Sequence, residues 1–148
     1  MMGGILCPIR GGPGSRGAIA AGISLAKEIQ EPLHFLYVVN LDFLNLTERG
    51  RTQVISEEMR GMGEFILLRA QAQAEQNGIK AQWTVRQGNV MDEIMAMAKE
   101  IEASHIILGQ PKHEEQNVFT MERLKTFVEH CEKETGAKVV LAETGGDE

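Results

Sequence analysis

A glycine-rich turn near the start of the sequence carries the residue types of an anion-binding site. Residues 11–14 read Gly-Gly-Pro-Gly, and they stand between an apolar run and Ser15, which we predict as the N-cap of a helix. Backbone amides at the start of a helix bind phosphate or carboxylate groups, and Arg10 and Arg16 add guanidinium donors on either side of the turn. The segment therefore predicts a site for an anionic small ligand.

Further candidates for this ligand site follow a later apolar run. Lys112 and His113 come shortly after a run that ends at Gly109, so they would reach the turn from a neighbouring loop. The candidate ligand residues are Arg10, Gly12, Gly14, Ser15, Arg16, Gly109, Lys112 and His113. A second interpretation makes the two arginines solvated loop charges, or partners of acidic side chains in residues 40–63.

The same turn satisfies a dinucleotide-binding pattern, which gives a competing function. Residues 12–17 fit G-x-G-x-x-G after an apolar run and before a helical pattern. The acidic residue expected after the second strand is missing, because Asn40 follows Val39. A P-loop is excluded, since residues 15–17 lack the lysine that such a loop requires. An NAD-type site is therefore the weaker alternative to a simple anion site.

Other reactive residue types form no recognised constellation. The four histidines lie on different predicted elements without metal-ligand spacing: His34, His105, His113 and His130. Cys7 and Cys131 stand far apart in apolar or helical runs, so we interpret both as reduced packing residues. No serine or cysteine sits in a nucleophile motif such as G-x-S-x-G. We therefore expect no bound metal, no certain cofactor and no enzymatic activity.

Composition narrows the class of protein further. The 148 residues carry a net charge of −6, with 43% hydrophobic and 24% charged residues, which is typical of one globular domain over residues 1–148. The acidic balance argues against nucleic acid as a partner. Apolar runs are too short for a membrane span, and no secretory signal is visible at the start. We expect a cytoplasmic protein with neither membrane nor nucleic-acid contacts.

Strand-like and helix-like segments alternate along the chain. Apolar runs predict strands at residues 5–9, 33–39, 81–86, 105–109 and 138–142. Helical periodicity predicts a helix from Ser15 to just before Pro32, another over 64–76 after a long connection, one capped by Asn89, and a last one ending at Gly136. The alternation predicts an α/β fold with a doubly wound parallel sheet and helices on both faces. We interpret the three methionines of the third helix as core filling: Met91, Met95 and Met97.

Three segments resemble the universal stress protein family: residues 5–15, 33–39 and 88–109. Their order and spacing fit over nearly the whole chain. The third segment is the most specific, because a helix that starts after glycine and leads into a short apolar strand ending in glycine is typical of that family. The resemblance implies a five-stranded parallel sheet in the order 3-2-1-4-5. It also implies adenine-nucleotide binding at the carboxyl ends of strands one and four, and commonly a homodimer formed by the last strands.

The sequence departs from the family's nucleotide-binding pattern at four positions: Arg10, Lys112, Glu122 and Arg123. In binders of this family an aspartate ends the first strand, and glycines with a serine or threonine take the other three places. Gly109 keeps the first glycine of that motif, and Pro8 and Val39 match positions near the adenine. Side chains in place of glycine block or remodel a phosphate cradle. ATP or another adenine nucleotide is therefore the alternative ligand.

A last apolar strand at a sheet edge predicts self-association. Val139, Val140 and Leu141 would form an exposed edge that invites pairing with another chain. A twofold homodimer would cover it.

Three hypotheses for the function follow. The first is a non-enzymatic, dimeric stress-response regulator that binds an anionic small ligand at the carboxyl ends of strands one and four. The second is an adenine-nucleotide sensor or slow nucleotidase. The third is a free-standing version of a regulatory domain that other proteins attach to transporters or kinases.

Overall fold

The computed structural model describes residues 3–10, 13–40, 52–109 and 118–142. Within these segments five strands alternate with four helices, which are β1 (Ile5–Pro8), α1 (Pro13–Ile29), β2 (Leu33–Val39), α2 (Thr52–Gln76), β3 (Ala81–Gln87), α3 (Val90–Ile101), β4 (His105–Gly109), α4 (Val118–Thr135) and β5 (Lys138–Ala142). All strands pair in parallel, in the order β3-β2-β1-β4-β5. The predicted fold class and strand order are confirmed.

Helices cover both faces of the sheet. Successive strand side chains point to opposite faces, so Cys7 and Phe35 pack against α1 and α2, whereas Leu6 and Leu36 pack against α3 and α4. β1 is the central strand, and its first three side chains have no solvent exposure. This double coverage explains why the strands read as continuous apolar runs. Among the described helices, none combines the length and apolarity needed to cross a membrane.

Both cysteines belong to the core, as the sequence predicts. Cys7 and Cys131 are free thiols with 0% exposure, one in each core layer. Burial raises the pKa of Cys7 to about 12, because the apolar surroundings disfavour the thiolate. The thiol of Cys7 is therefore neutral and unreactive in the folded protein.

Two helix starts differ from their predictions. The N-cap assignment of Ser15 is wrong, because α1 already begins at Pro13, where the fixed φ of proline suits a first helical turn. The start of the second helix was predicted at Glu64, yet α2 begins at Thr52. The two glycines before Glu64 read as helix breakers, but tertiary packing of the helix outweighs their low helix propensity.

The third helix follows its predicted cap. The Asn89 side chain accepts a hydrogen bond from the backbone N–H of Asp92 at 3.0 Å, and this confirms the capping assignment. Met97 is buried and Met95 packs against the same cluster. The core assignment of Met91 is wrong, since this side chain is 44% exposed. Met91 falls outside the buried stripe formed by Ile94, Met97, Ala98 and Ile101.

An arginine joins the edge strand β3 to α3. Arg86 Nε lies 2.6 Å from Glu93 Oε1, and its Nη1 lies 2.8 Å from Glu100 Oε1. The hydrogen bonds that the guanidinium donates to these carboxylates, above all to Glu93, raise the pKa of Arg86. One guanidinium therefore contacts two turns of α3 and fixes the helix against the sheet.

Gly63 and Gly61 give a matched pair of substitutions in α2. A Cβ at Gly63 would lie 2.6 Å from Tyr37 Cδ1, whereas a Cβ at Gly61 would meet nothing within 4 Å. We expect Gly61→Ala to raise the free energy of unfolding by about 0.5–1 kcal/mol, through helix propensity. Gly63→Ala should lower it by about 1 kcal/mol, because overpacking costs of about 1–3 kcal/mol exceed that gain. Urea denaturation measures both, and a stabilised Gly63→Ala variant would contradict the packing described.

His34 makes the stability depend on pH. Its Nε2 lies 2.8 Å from Thr84 Oγ1. Burial lowers the pKa of His34, and the carboxylate of Glu100 opposes this shift more weakly. The unfolded chain, with a histidine pKa of about 6.5, therefore binds the proton more readily than the folded protein does.

The free energy of unfolding should fall as the pH drops below about 6.5, until the folded pKa is passed. His34→Gln removes this titration and should flatten the profile, which urea denaturation at about pH 7.5 and about pH 5.5 measures. His130→Gln, at an exposed position, is the control and should keep the wild-type profile. Equal pH profiles for the wild type and His34→Gln would refute the assignment.

Candidate functional site

The pairing of the central strand β1 with its neighbour β4 ends before the carboxyl ends of the two strands. β1 and β4 pair only at Ile5 with His105 and at Leu6 with Ile106, although both strands continue toward their carboxyl ends. Ile5 donates its backbone N–H to Pro32, just before β2, and Ile9 donates to Leu36 in β2, so by alternation the residue at position 8 faces β4. Proline has no N–H to donate. The ladder to β4 therefore ends after Leu6 and Ile106, and the carboxyl ends of β1 and β4 are where a doubly wound sheet is expected to hold a ligand crevice.

Arg10 lies at this carboxyl edge of the sheet. It follows the end of β1 by two residues and is exposed. Its backbone N–H donates to Ser15 Oγ at 3.1 Å. This hydrogen bond ties the end of β1 to the first turn of α1, where the positive end of the helix dipole favours an anion. The structure thus brings together Arg10 and Ser15, two of the predicted ligand residues.

The neighbouring strand ends lie at the same edge. Val39 is fully buried at the end of β2, and its carbonyl accepts a hydrogen bond from Gly88 at 3.0 Å. Gly109 ends β4, pairs with Ala142 and is exposed. Pro8 is partly exposed at the end of β1. Parallel pairing places these strand ends on the carboxyl edge, as predicted.

The other predicted ligand residues are not described at this edge of the sheet. Gly12, Lys112 and His113 lie outside the described residues, and Gly14 is described only as part of the α1 backbone. Arg16 lines a groove between α1 and α2 together with Arg69. The structure therefore places Arg16 in a groove that shares Ser15 with the predicted site and extends along α2.

The structure shows a groove between α1 and α2 that the sequence did not indicate. Its volume is about 760 Å³. It is lined by Ser15, Arg16, Ile19, Phe65, Ile66, Arg69, Ala70, Ala72, Gln73 and Gln76. The guanidinium of Arg69 lies 5.8 Å from the centre of the Phe65 ring, within the range of a cation–π contact.

A serine, a histidine and a glutamate meet at the opposite, amino end of the sheet. Ser104 Oγ lies 2.6 Å from Glu31 Oε1, 2.9 Å from His105 Nδ1 and 3.1 Å from the carbonyl oxygen of Gly4. The sequence did not indicate this group, because 73 positions separate Ser104 from Glu31.

The geometry of this group is not that of a nucleophilic serine. A catalytic triad needs the carboxylate to orient the histidine, which then takes the serine proton. Here the carboxylate and the imidazole both contact the hydroxyl of Ser104, and the described side chains include no hydrogen bond between Glu31 and His105. The hydroxyl joins the loop before β2 to the loops before β1 and β4. The observed contacts of Ser104 therefore hold these loops together.

The last strand lies at an edge of the sheet. Val139 and Val140 are buried or partly buried, and Leu141 is 37% exposed. The N–H of Lys138 donates to the carbonyl oxygen of Ser104, just before β4. The N–H of the next residue, Val139, points to the other side and donates to Glu132 Oε2 at 2.9 Å. A carboxylate therefore satisfies one outward-facing donor of this edge.

Metal ligands do not converge in the described segments. No three side chains among their His, Cys, Asp and Glu residues lie close enough together to hold a metal ion.

Known structures share this fold. Universal stress protein UspA from Lactobacillus plantarum superposes with a TM-score of 0.77 at 15% identity, over 95% of this chain and 97% of that chain. A universal stress protein solved in complex with cAMP superposes with a TM-score of 0.68 at 14% identity, over 97% of this chain and 98% of that chain. At these identities the likeness establishes the fold.

Sequence comparisons supply the family. Universal stress protein MJ0531 of Methanocaldococcus jannaschii is 29% identical over 106 residues, which cover 71% of this chain and 62% of that protein. The chain thus matches less than two thirds of that relative's length. A sequence model of the universal stress protein family matches residues 1–135. Because this match spans most of the sequence, the chain belongs to the universal stress protein family.

Proposed function

We propose that this protein is a non-enzymatic, dimeric regulator that binds an anionic small ligand at the carboxyl ends of β1 and β4. Membership of the universal stress protein family supports a role in the stress response. The cytoplasm is the proposed location. The observation that carries the ligand proposal is the position of the exposed Arg10 at the carboxyl edge of the sheet, beside the first turn of α1.

The local chemistry supports an anion at that edge. Pro8 cannot donate to β4, and the β1–β4 ladder ends after Leu6 and Ile106. The Arg10 side chain is exposed, so it can turn toward a ligand without losing a buried contact. The amino end of α1 carries the positive end of the helix dipole. A phosphate or carboxylate there would meet both charge and hydrogen-bond donors.

A non-enzymatic role is supported by the nature of the polar groups. The crevice residues Arg10 and Ser15 supply hydrogen-bond donors but no general base. The serine, histidine and glutamate group lies at the opposite end of the sheet, with its hydroxyl engaged by both partners.

An adenine nucleotide is the second candidate ligand. The structural relative solved with cAMP has the same fold over nearly the whole chain. Pro8, Val39 and Gly109 lie on the edge where the family resemblance places the nucleotide. With such a ligand, the protein would act as a nucleotide sensor or slow nucleotidase in which Arg10 contacts a phosphate.

Thermal-shift measurements with inorganic phosphate, AMP, cAMP, ATP and NAD test both candidates. A ligand at 100 times its dissociation constant stabilises the folded state by about 2.7 kcal/mol. We expect at least one of the phosphate-bearing compounds to raise the midpoint. Arg10→Gln should reduce that rise, because it removes the charge that pairs with the anion.

Two further variants sharpen this experiment. Lys112→Gly restores a glycine of the family motif and should strengthen the response to ATP. Arg60→Gln, at an exposed position of α2, is the control and should leave every response unchanged. No shift with any of the compounds, or equal shifts for the wild type and Arg10→Gln, would refute the crevice site.

The dimer proposal rests on the exposed edge of β5. Leu141 is exposed there, and the outward N–H groups alternate along the strand. Light scattering should report a dimer, and Leu141→Lys should shift the mass toward the monomer, because charge on an edge strand opposes pairing. Lys138→Glu, at an exposed position of β5, tests whether the effect is specific to the apolar side chain. A monomeric wild-type protein would refute the proposal.

A further inference from the structure

The groove between α1 and α2 combines positive charge with apolar surface. Arg16 and Arg69 are exposed on its two walls, and no acidic residue belongs to its described lining. The chain as a whole has a net charge of −6. A groove whose described lining carries two arginines and no carboxylate is therefore more positive than the average surface of the protein. In the described segments neither arginine forms an ion pair.

The rest of the lining is largely apolar. Ile19 contributes from α1, and Phe65, Ile66 and Ala70 contribute from α2. Phe65 is 62% exposed, although an aromatic ring of this size gains by leaving water. The Arg69 guanidinium near its ring places a charge directly beside the largest apolar side chain of the groove.

Size and shape fit a small molecule. The volume of about 760 Å³ lies within the range of ligand pockets. The α2 wall runs from Phe65 to Gln76, which corresponds to about 16 Å of helix. Gln73 and Gln76 add neutral donors and acceptors toward the far end. An elongated ligand with one charged end matches this distribution of groups.

We propose that the α1–α2 groove binds a small amphipathic anion, with an aromatic or acyl body over Phe65 and Ile66 and an acidic head group between Arg16 and Arg69. Charge complementarity selects the acidic head group, because both guanidinium groups are exposed on the groove walls. It also disfavours a second copy of the chain in a symmetric contact, since that contact would bring the arginines of both copies together. The proposed site at the ends of β1 and β4 adjoins this groove at Ser15, but it contains Arg10 and lacks Arg69.

The fluorescent anion anilinonaphthalenesulfonate is the first probe, with dodecanoate as an acyl competitor. We expect saturable fluorescence with the folded protein and displacement by dodecanoate. Arg69→Gln and Phe65→Ala should each weaken binding, the first by about tenfold, because it removes a charge-assisted hydrogen bond. Both side chains are exposed, so the variants should keep the wild-type circular dichroism spectrum and melting midpoint.

Matched controls separate this groove from other surfaces. Arg60→Gln removes an exposed arginine of the same helix outside the groove lining and should leave the affinity unchanged. Arg10→Gln tests the crevice and should also leave probe binding unchanged, so failure of either site is visible separately. N-phenylnaphthylamine, which has the ring system without the sulfonate, should bind about tenfold more weakly than the anionic probe.

Three results would overturn the proposal. The first is an unchanged affinity in both Arg69→Gln and Phe65→Ala. The second is probe fluorescence that appears only as the circular dichroism signal is lost, because the probe would then report unfolded protein. The third is a change of mass in light scattering for these variants without a change in probe affinity, which would make the groove a contact between protein copies.

Discussion

The lack of an amide hydrogen at Pro8 in the central strand determines where the pairing between β1 and β4 ends. β1 is buried on both faces, and its N–H groups alternate between β2 and β4. Pro8 stands at a position that faces β4 and cannot donate, so the ladder ends after Leu6 and Ile106. The end of β1 then leads through Arg10 to α1, where Ser15 accepts its N–H. The end of the β1–β4 ladder therefore follows from one proline, and Arg10 and the start of α1 lie directly after it in the sequence.

The strands were predictable because each is a continuous apolar run between strong stop signals. β2 and β5 have the bounds that the sequence predicts, and the Asn89 cap fixes the start of α3. The early start of α2 was not predictable from local signals. Gly63 lies against the Tyr37 ring, where a larger residue would collide, so a glycine that reads as a helix breaker serves close packing between helix and sheet.

The strand-edge candidates could be named from the sequence because parallel strands bring their carboxyl ends to one edge. Pro8, Arg10, Val39 and Gly109 lie there. The α1–α2 groove could not be named in this way. Arg16 and Arg69 belong to different helices, and helical periodicity describes each helix separately without saying which exposed faces become neighbours.

The position of β1 also sets the order in which the protein can assemble. Ile5 pairs with Leu33 and, on its other side, with His105. During synthesis the first strand, α1 and β2 can pack as a local unit, while the flank of β1 that β4 covers stays bare until about one hundred further residues have emerged. The centre of the sheet is completed late, and shielding of that flank in the growing chain falls to other segments or to cellular chaperones.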